Sequence, residues 1–200
     1  MSPDVVCFFD NKTNSVSYVV SDPETGHAAV IDPVLDFDLV SGRTATDSAE
    51  KIAEHVSANN LTVDWIIETH VHADHLTASV WLKEKLGGKT GIGAGIAVVR
   101  ATFGELFNAA DVMDVDVTPF DQLFADGATF RIGNIEAKVI ATPGHTPACV
   151  TYVIGDSCFV GDTMFMPDSG TARCDFPGGD AKQLFESLQK IISLPDDMRL

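Results

Sequence analysis

The segment Thr69-His70-Val71-His72-Ala73-Asp74-His75 gathers three imidazoles and a carboxylate into the six residues from His70 to His75. In an extended chain, side chains two residues apart point the same way, so His70 and His72 can face one point. Asp74 and His75 follow at the turn into the next element. Protonated together, these rings would repel one another, and burying them would be costly. A divalent cation removes both difficulties, because it takes the imidazole lone pairs and keeps the rings neutral. On one side of the segment, Val63 to Ile67 is a short apolar run that reads as a buried strand. On the other, Leu76 to Leu86 reads as a helix that Gly87-Gly88 stops.

Two more segments follow strands in the same way. Ala128 to Ile132, Gly133-Asn134 and Ile135 to Ala141 read as a hairpin, and Thr142-Pro143-Gly144-His145-Thr146-Pro147 comes directly after it. Cys158 to Val160 reads as a strand, and Gly161-Asp162-Thr163 follows. In layered α/β folds, side chains from the carboxyl ends of separate strands converge on one site. His145 and Asp162 therefore join His70, His72, Asp74 and His75 as candidate metal ligands. A polar surface loop is an adequate account of a lone histidine. It is kept for His27, read as a turn residue, and for His55, read as part of an exposed helix face.

The chain around these segments has ordinary globular composition. Its 200 residues correspond to one domain, residues 1–200. With 45% apolar and 21% charged residues it can bury a core. Thirteen Lys and Arg stand against 29 Asp and Glu, for a net charge of −16. That field repels phosphate backbones and anionic lipid, which argues against nucleic-acid and membrane partners. No apolar run approaches the length of a membrane span. The short run Val5 to Phe9 lacks the basic flank of a signal peptide, so a cytoplasmic location is expected. Cys7, Cys149, Cys158 and Cys174 form no C-x-x-C pair and read as reduced thiols. Composition and motifs leave the oligomeric state open.

Strands are expected at Val16 to Val20, Ala28 to Ile31 and Val150 to Ile154, the last followed by a turn at Gly155-Asp156. Asp47 with Glu50 reads as a capping box opening a helix to about Ala58, with Ile52, Ala53 and Val56 on one face. Ile96 to Phe107 reads as a helix. Asp180 and Gln183 read as the cap of a last helix that carries Leu184, Leu188 and Ile191 on one face. Gly91-Ile92-Gly93-Ala94-Gly95 lacks the Lys or Asp of a nucleotide loop and reads as a tight strand-to-helix turn. Asp111, Asp114 and Asp116 read as a solvated face. Met198-Arg199-Leu200 reads as the opening of a further strand, so the chain is expected to be a C-terminally truncated piece of a longer protein.

In order along the chain, "THVHADH", "TPGHTP" and "GDT" resemble the metal-binding motifs of the metallo-β-lactamase superfamily. The resemblance covers most of the chain and is nearest to the glyoxalase II and persulfide dioxygenase branch. The stretch "GDTMFMPDSGTARCDFPGGDA", residues 161–181, is similar to bacterial persulfide dioxygenases and related β-lactamase-like proteins. The resemblance implies an α/β fold, the αβ/βα four-layer sandwich of two mixed sheets with outer helices, here without its last part. It also implies a metal-dependent enzyme, with two competing assignments.

In the dioxygenase assignment one Fe(II) per chain is held by His70, His145 and Asp162, the two-histidine, one-carboxylate set. Glutathione persulfide and O2 are the reactants, and sulfite and glutathione the products. His72, Asp74 and His75 then support catalysis by orienting and tuning the ligands. In the hydrolase assignment, similar to glyoxalase II, two Zn(II) ions activate a hydroxide for attack on a thioester. There His70, His72 and His145 hold one metal, Asp74 and His75 begin the second site, and Asp162 bridges. That arrangement needs one more histidine after the final helix, and none follows His145. The 163–180 stretch and the complete ligand set favour the dioxygenase. Arg173 is matched either to the arginine that contacts the glutathione carboxylate or to an ion pair with Asp168 or Asp175. Cys174 is either a thiol activated by Arg173 or an inert buried one. Outside this enzyme class stand a non-catalytic metal-binding domain and a redox sensor built on Cys174, which lacks an evident resolving cysteine.

Overall fold

A computed structural model describes residues 2–113 and 119–200. The chain divides into two compact units. The first comprises Met1–Glu68, His72–Gly91 and Arg131–Glu136, and the second Thr69–Val71, Ile92–Phe130 and Ala137–Leu200.

The first unit is built from β1 (Asp4–Asp10), β2 (Ser15–Ser21), β3 (His27–Ile31), β4 (Val34–Asp38), β5 (Arg43–Ala45), α1 (Asp47–Ala58), β6 (Thr62–Ile67), β7 (Leu76–Thr77), α2 (Ser79–Leu86) and the start of β8 (Lys89–Gly93). Strands β1, β2 and β3 pair antiparallel in that order, whereas β3, β6 and β8 pair parallel. Parallel neighbours require crossover connections, and α1 and α2 lie in them. The apolar i, i+3, i+4, i+7 set Ala49, Ile52, Ala53 and Val56 of α1 packs with Val19, Ala28, Val30, Val63, Ile66 and Leu82 in one buried cluster. Because β3 and β6 run the same way with Ile31 opposite Ile67, the residues that follow them, Asp32 and Glu68, leave the sheet at the same end.

Four local expectations are corrected in this unit. The N-cap of α1 is Thr46, and no side chain of the local sequence caps the helix. Asp36 of β4 supplies the acceptor instead, taking the Ser48 amide at 2.7 Å and its hydroxyl at 2.9 Å. Leu76 and Thr77 do not begin a helix; they form β7 against β4, and α2 starts at Ser79. His27 is not a turn residue but opens β3, with Nδ1 2.8 Å from the Asp64 carboxylate. His55 is half-buried, its ring 5.7 Å from that of Phe8 in an edge contact.

The second unit contains α3 (Ile96–Leu106), β9 (Gln122–Phe124), β10 (Thr129–Ile132), β11 (Ile135–Ala141), β12 (Val150–Ile154), β13 (Ser157–Phe159), a 3-10 turn at Gly161–Thr163 and α4 (Ala181–Ile192). Strands β10 to β13 form a four-stranded sheet in sequence order, the tip of the β10–β11 hairpin being counted with the first unit. Ile92, Ile96, Val99 and Ala148 form one buried cluster, and Phe124 stacks on Phe130 at 5.0 Å. Residues 94 and 95 turn the chain from β8 into α3 as read, and Gly93 and Gly95 have a further reason to be glycine. A side chain at either would collide with the carbonyl oxygen of Ala148 or Pro147, so close backbone approach is what requires glycine. Asp180 caps α4 as read, accepting from the Gln183 amide at 2.8 Å. Leu184, Ser187 and Ile191 are buried on its inner face and Leu188 is half-buried.

Arg199 bridges Ser157 in parallel. Asp111 is exposed, and Asp114 and Asp116 lie outside the described residues. The four cysteines are free thiols: Cys7 is exposed, Cys149 and Cys158 are buried, and Cys174 is half-buried. Among the described residues no helix is long and apolar enough to cross a membrane.

Candidate metal centre

In the second unit, three separate backbone segments bring His70, His145 and Asp162 together. The Thr69–Val71 segment is tied to β12 by the Val150 amide, which donates to the Thr69 carbonyl at 2.8 Å. Gly161 has a φ of 51°, and a Cβ there would strike the Thr69 side chain. Only glycine lets the 3-10 turn approach the histidine segment this closely. The Thr163 hydroxyl, bonded to Thr142 Oγ1 at 3.1 Å, fastens the far side of that turn to the end of β11.

His145 is seated by α4. The Asp180 amide donates to the Gly144 carbonyl at 2.8 Å, and Ser187 Oγ donates to the Pro143 carbonyl at 2.7 Å. His70 Nε2 and His145 Nε2 then lie 3.6 and 3.4 Å from Asp162 Oδ2. One donor atom from each of the three residues lies within 4.8 Å of the other two.

Both rings are held from behind. His145 Nδ1 is 2.7 Å from the Arg173 carbonyl. A carbonyl only accepts, so Nδ1 carries the proton and Nε2 the lone pair. His70 Nδ1 is 3.0 Å from the Thr69 hydroxyl, and the Phe176 ring stands edge-on to His145 at 5.5 Å. The Nε2–carboxylate separations exceed ordinary hydrogen-bond lengths, and two imidazoles with one carboxylate are a donor set that suits iron or zinc. These three residues fit a divalent metal.

The first unit holds a second group of potential ligands, His72, Asp74 and His75. The His72 and His75 rings stack at 4.1 Å. His75 Nδ1 is 3.0 Å from the Leu76 carbonyl, to which it donates. In the neutral ring its Nε2 is then a buried lone-pair atom, with no hydrogen-bond partner among the described residues. Asp74 Oδ2 accepts from the Ser15 hydroxyl at 2.8 Å. Burial pushes the Asp74 carboxyl up, but the Ser15 hydrogen bond and the neighbouring His75 outweigh it and leave the group below its ordinary range. His72 is flanked by Asp32 and Glu68, which make a third group with it. Burial presses its imidazolium toward the neutral form, yet the Asp32 and Glu68 carboxylates overcome that and hold its pKa well above the ordinary value.

Arg173 takes the ion-pair geometry. Its Nε and Nη2 lie 2.5 and 2.8 Å from the two oxygens of Asp175, with both side chains exposed. Its guanidinium also sits over the Phe176 ring at 4.8 Å. The sequence reading passed over Asp32, Glu68, the Arg173 carbonyl and Phe176. A usable signal existed for the first two, since each is an acid closing an apolar run, Ile31-Asp32 and Ile67-Glu68.

A mixed α/β chain with several sheets and a histidine–aspartate donor cluster defines a class, and comparison with known proteins identifies it. The chain belongs to the metallo-β-lactamase superfamily, whose family profile matches residues 10–200, and it has the metallo-β-lactamase fold. The beta-lactamase hydrolase-like protein of Agrobacterium fabrum is 54% identical over 198 residues, which is 99% of this chain and 46% of that protein. The mitochondrial persulfide dioxygenase ETHE1 of Homo sapiens is 30% identical over 192 residues, 94% of this chain and 62% of that one. The chain thus spans about half to three-fifths of the length of these two relatives. The crystal structure of ETHE1 from Myxococcus xanthus superposes with a TM-score of 0.76 at 28% identity, over 98% of this chain and 72% of that one.

Proposed function

We propose that this chain carries the catalytic centre of a persulfide dioxygenase. One Fe(II) per chain would be held by His70, His145 and Asp162, and glutathione persulfide would be oxidised by O2 to sulfite and glutathione. The observation that carries the reading is the two-imidazole, one-carboxylate cluster, whose Nε2 atoms both face the same Asp162 oxygen. The likeness to two proteins named ETHE1, one of them a persulfide dioxygenase, supports it. Bound iron would supply electron transfer between sulfur and oxygen, chemistry that zinc lacks.

The reaction balances as RSSH + O2 + H2O giving RSH, sulfite and two protons, with four electrons passing from the outer sulfur to O2. In this scheme the Arg173 carbonyl and Thr69 hold the two rings with Nε2 forward. Gly161 and Thr163 fix the turn that presents Asp162. The Arg173 guanidinium is the local cation in a chain of net charge −16, and it can exchange Asp175 for a substrate carboxylate.

A thioester hydrolase with two Zn(II) ions is the second reading, and one observation favours it. The buried lone pair of His75 Nε2 is what a metal drawing on His72, Asp74 and His75 would satisfy. Purification without oxygen, followed by metal analysis and assays on both substrates, separates the two. One iron per chain with O2 uptake and sulfite formation that depend on glutathione persulfide is expected. Two zincs per chain with hydrolysis of a glutathione thioester and no O2 uptake would overturn the dioxygenase.

A further inference from the structure

Strand β1 is the outer strand of its sheet. It pairs with β2 along one edge, and among the described residues no strand pairs with the other. Natural sheets blunt such an edge by shortening it, bulging it, or placing Pro or Lys in it. β1 shows none of these. It runs seven residues, Asp4-Val5-Val6-Cys7-Phe8-Phe9-Asp10, in unbroken register with β2 from Asp4 opposite Ser21 to Asp10 opposite Ser15. Phe8 packs against the buried cluster around α1. Val6 and Phe9 are 37% and 55% exposed, and Cys7 is exposed. An open, regular, apolar edge is a template for a further strand.

The order of residues says whose strand fits. About Cys7 the segment reads alike in both directions, with two apolar residues and then an aspartate on each side. We propose that β1 is a self-association edge: a second copy of this chain adds its own β1 antiparallel, in the register centred on Cys7. That register sets Val5 opposite Phe9, Val6 opposite Phe8 and Cys7 opposite Cys7. Each aromatic ring then meets a β-branched side chain, a favourable cross-strand pair. A two-fold axis makes every such contact twice, and the strand of an unrelated partner would not call for this symmetry. The ends oppose the pairing, because Asp4 falls opposite Asp10 and each copy carries a net charge of −16. Asp10 is turned back on its own turn, where its carboxylate accepts from the Thr13 amide at 2.9 Å and the Thr13 hydroxyl at 2.7 Å. A seven-residue pairing buries less surface than a standard interface. The dimer is therefore weak, and it tightens as salt screens the like charges. It is independent of which metal or substrate the chain takes.

Sedimentation velocity over a range of protein concentrations, at low and high salt, reads the association. A monomer–dimer equilibrium that tightens with salt is expected. A short bismaleimide should join Cys7 to Cys7 of the second copy, as mass spectrometry of the linked peptides would show. Phe9→Asn, at an exposed position and without change of charge, should weaken the dimer about tenfold. Asp4→Lys turns both end repulsions into attractions and should tighten it about tenfold. Asp197→Lys makes the same change of charge in the second unit and should move it less than about twofold. A monomer at every concentration, a dimer that neither β1 variant alters, or equal tightening by Asp4→Lys and Asp197→Lys would overturn the proposal. Should Phe9→Asn fail to fold, Asp4→Lys and the cross-link decide: tightening together with a Cys7–Cys7 link supports the pairing, and the absence of either overturns it.

Discussion

At the scale of single residues, the chemistry turns on which atom each side chain has left to offer. His145 gives its Nδ1 proton to a backbone carbonyl, so Nε2 is available by construction. Asp162 Oδ2 is an anionic oxygen facing both imidazoles. Asp162→Ala should therefore release the metal under either the iron or the zinc reading, while Asp162→Glu retains part of it. Metal analysis after gel filtration checks both.

Arg173 carries two roles that one substitution separates. Arg173→Ala keeps the carbonyl that holds His145 and loses the guanidinium. It should raise KM for glutathione persulfide with little change in iron content. An unchanged KM would leave the guanidinium to Asp175 alone. Among the thiols, burial pushes Cys158 up to about 12, so it should resist thiol reagents at pH 8 until the protein unfolds. Exposed Cys7 should react first, as mass spectrometry of partially labelled protein would show.

At the scale of elements, what the sequence disclosed depended on the distance over which each feature is determined. The α4 cap is a matter of three residues, Asp180 to Gln183, and it could be read directly. Asp180→Ala should cost about 1 kcal/mol in urea unfolding. The α1 cap could not be read, because its acceptor, Asp36, sits on β4 and meets Ser48 only after the chain folds back. There Asp36→Ala should destabilise by a similar amount, about 1 kcal/mol, and the Asp47→Ala change should not. β7 was invisible for a related reason. Two residues carry no periodicity, and Leu76 and Thr77 are strand only because β4 pairs with them. Ile52 in α1 shows the opposite case. Its helical period marked it as core, it is 1% exposed, and Ile52→Ala should cost about 2–5 kcal/mol.

At the scale of the whole molecule, the six candidate ligands were legible because they cluster in short motifs at strand ends. Their supports were not, since Asp32 reaches His72 only through the parallel pairing of β3 with β6. Long-range carboxylate contacts of this kind also shape the response to acid. The amide of Asn134, then the Thr25 hydroxyl, hold Asp22 below the usual carboxylate range. A depressed carboxylate adds stability above its unfolded-state value, and that contribution is lost as pH falls through the folded-state value. Asp22→Asn should therefore unfold at lower urea than wild type at pH 7, with the gap closing below about pH 4. The proposed shared cation is tested most directly by iron-edge anomalous diffraction from crystals of protein prepared without oxygen. One iron peak in contact with His70 Nε2, His145 Nε2 and the Asp162 carboxylate is expected. Iron bound elsewhere, or no iron in protein that still consumes O2 with glutathione persulfide, would contradict it.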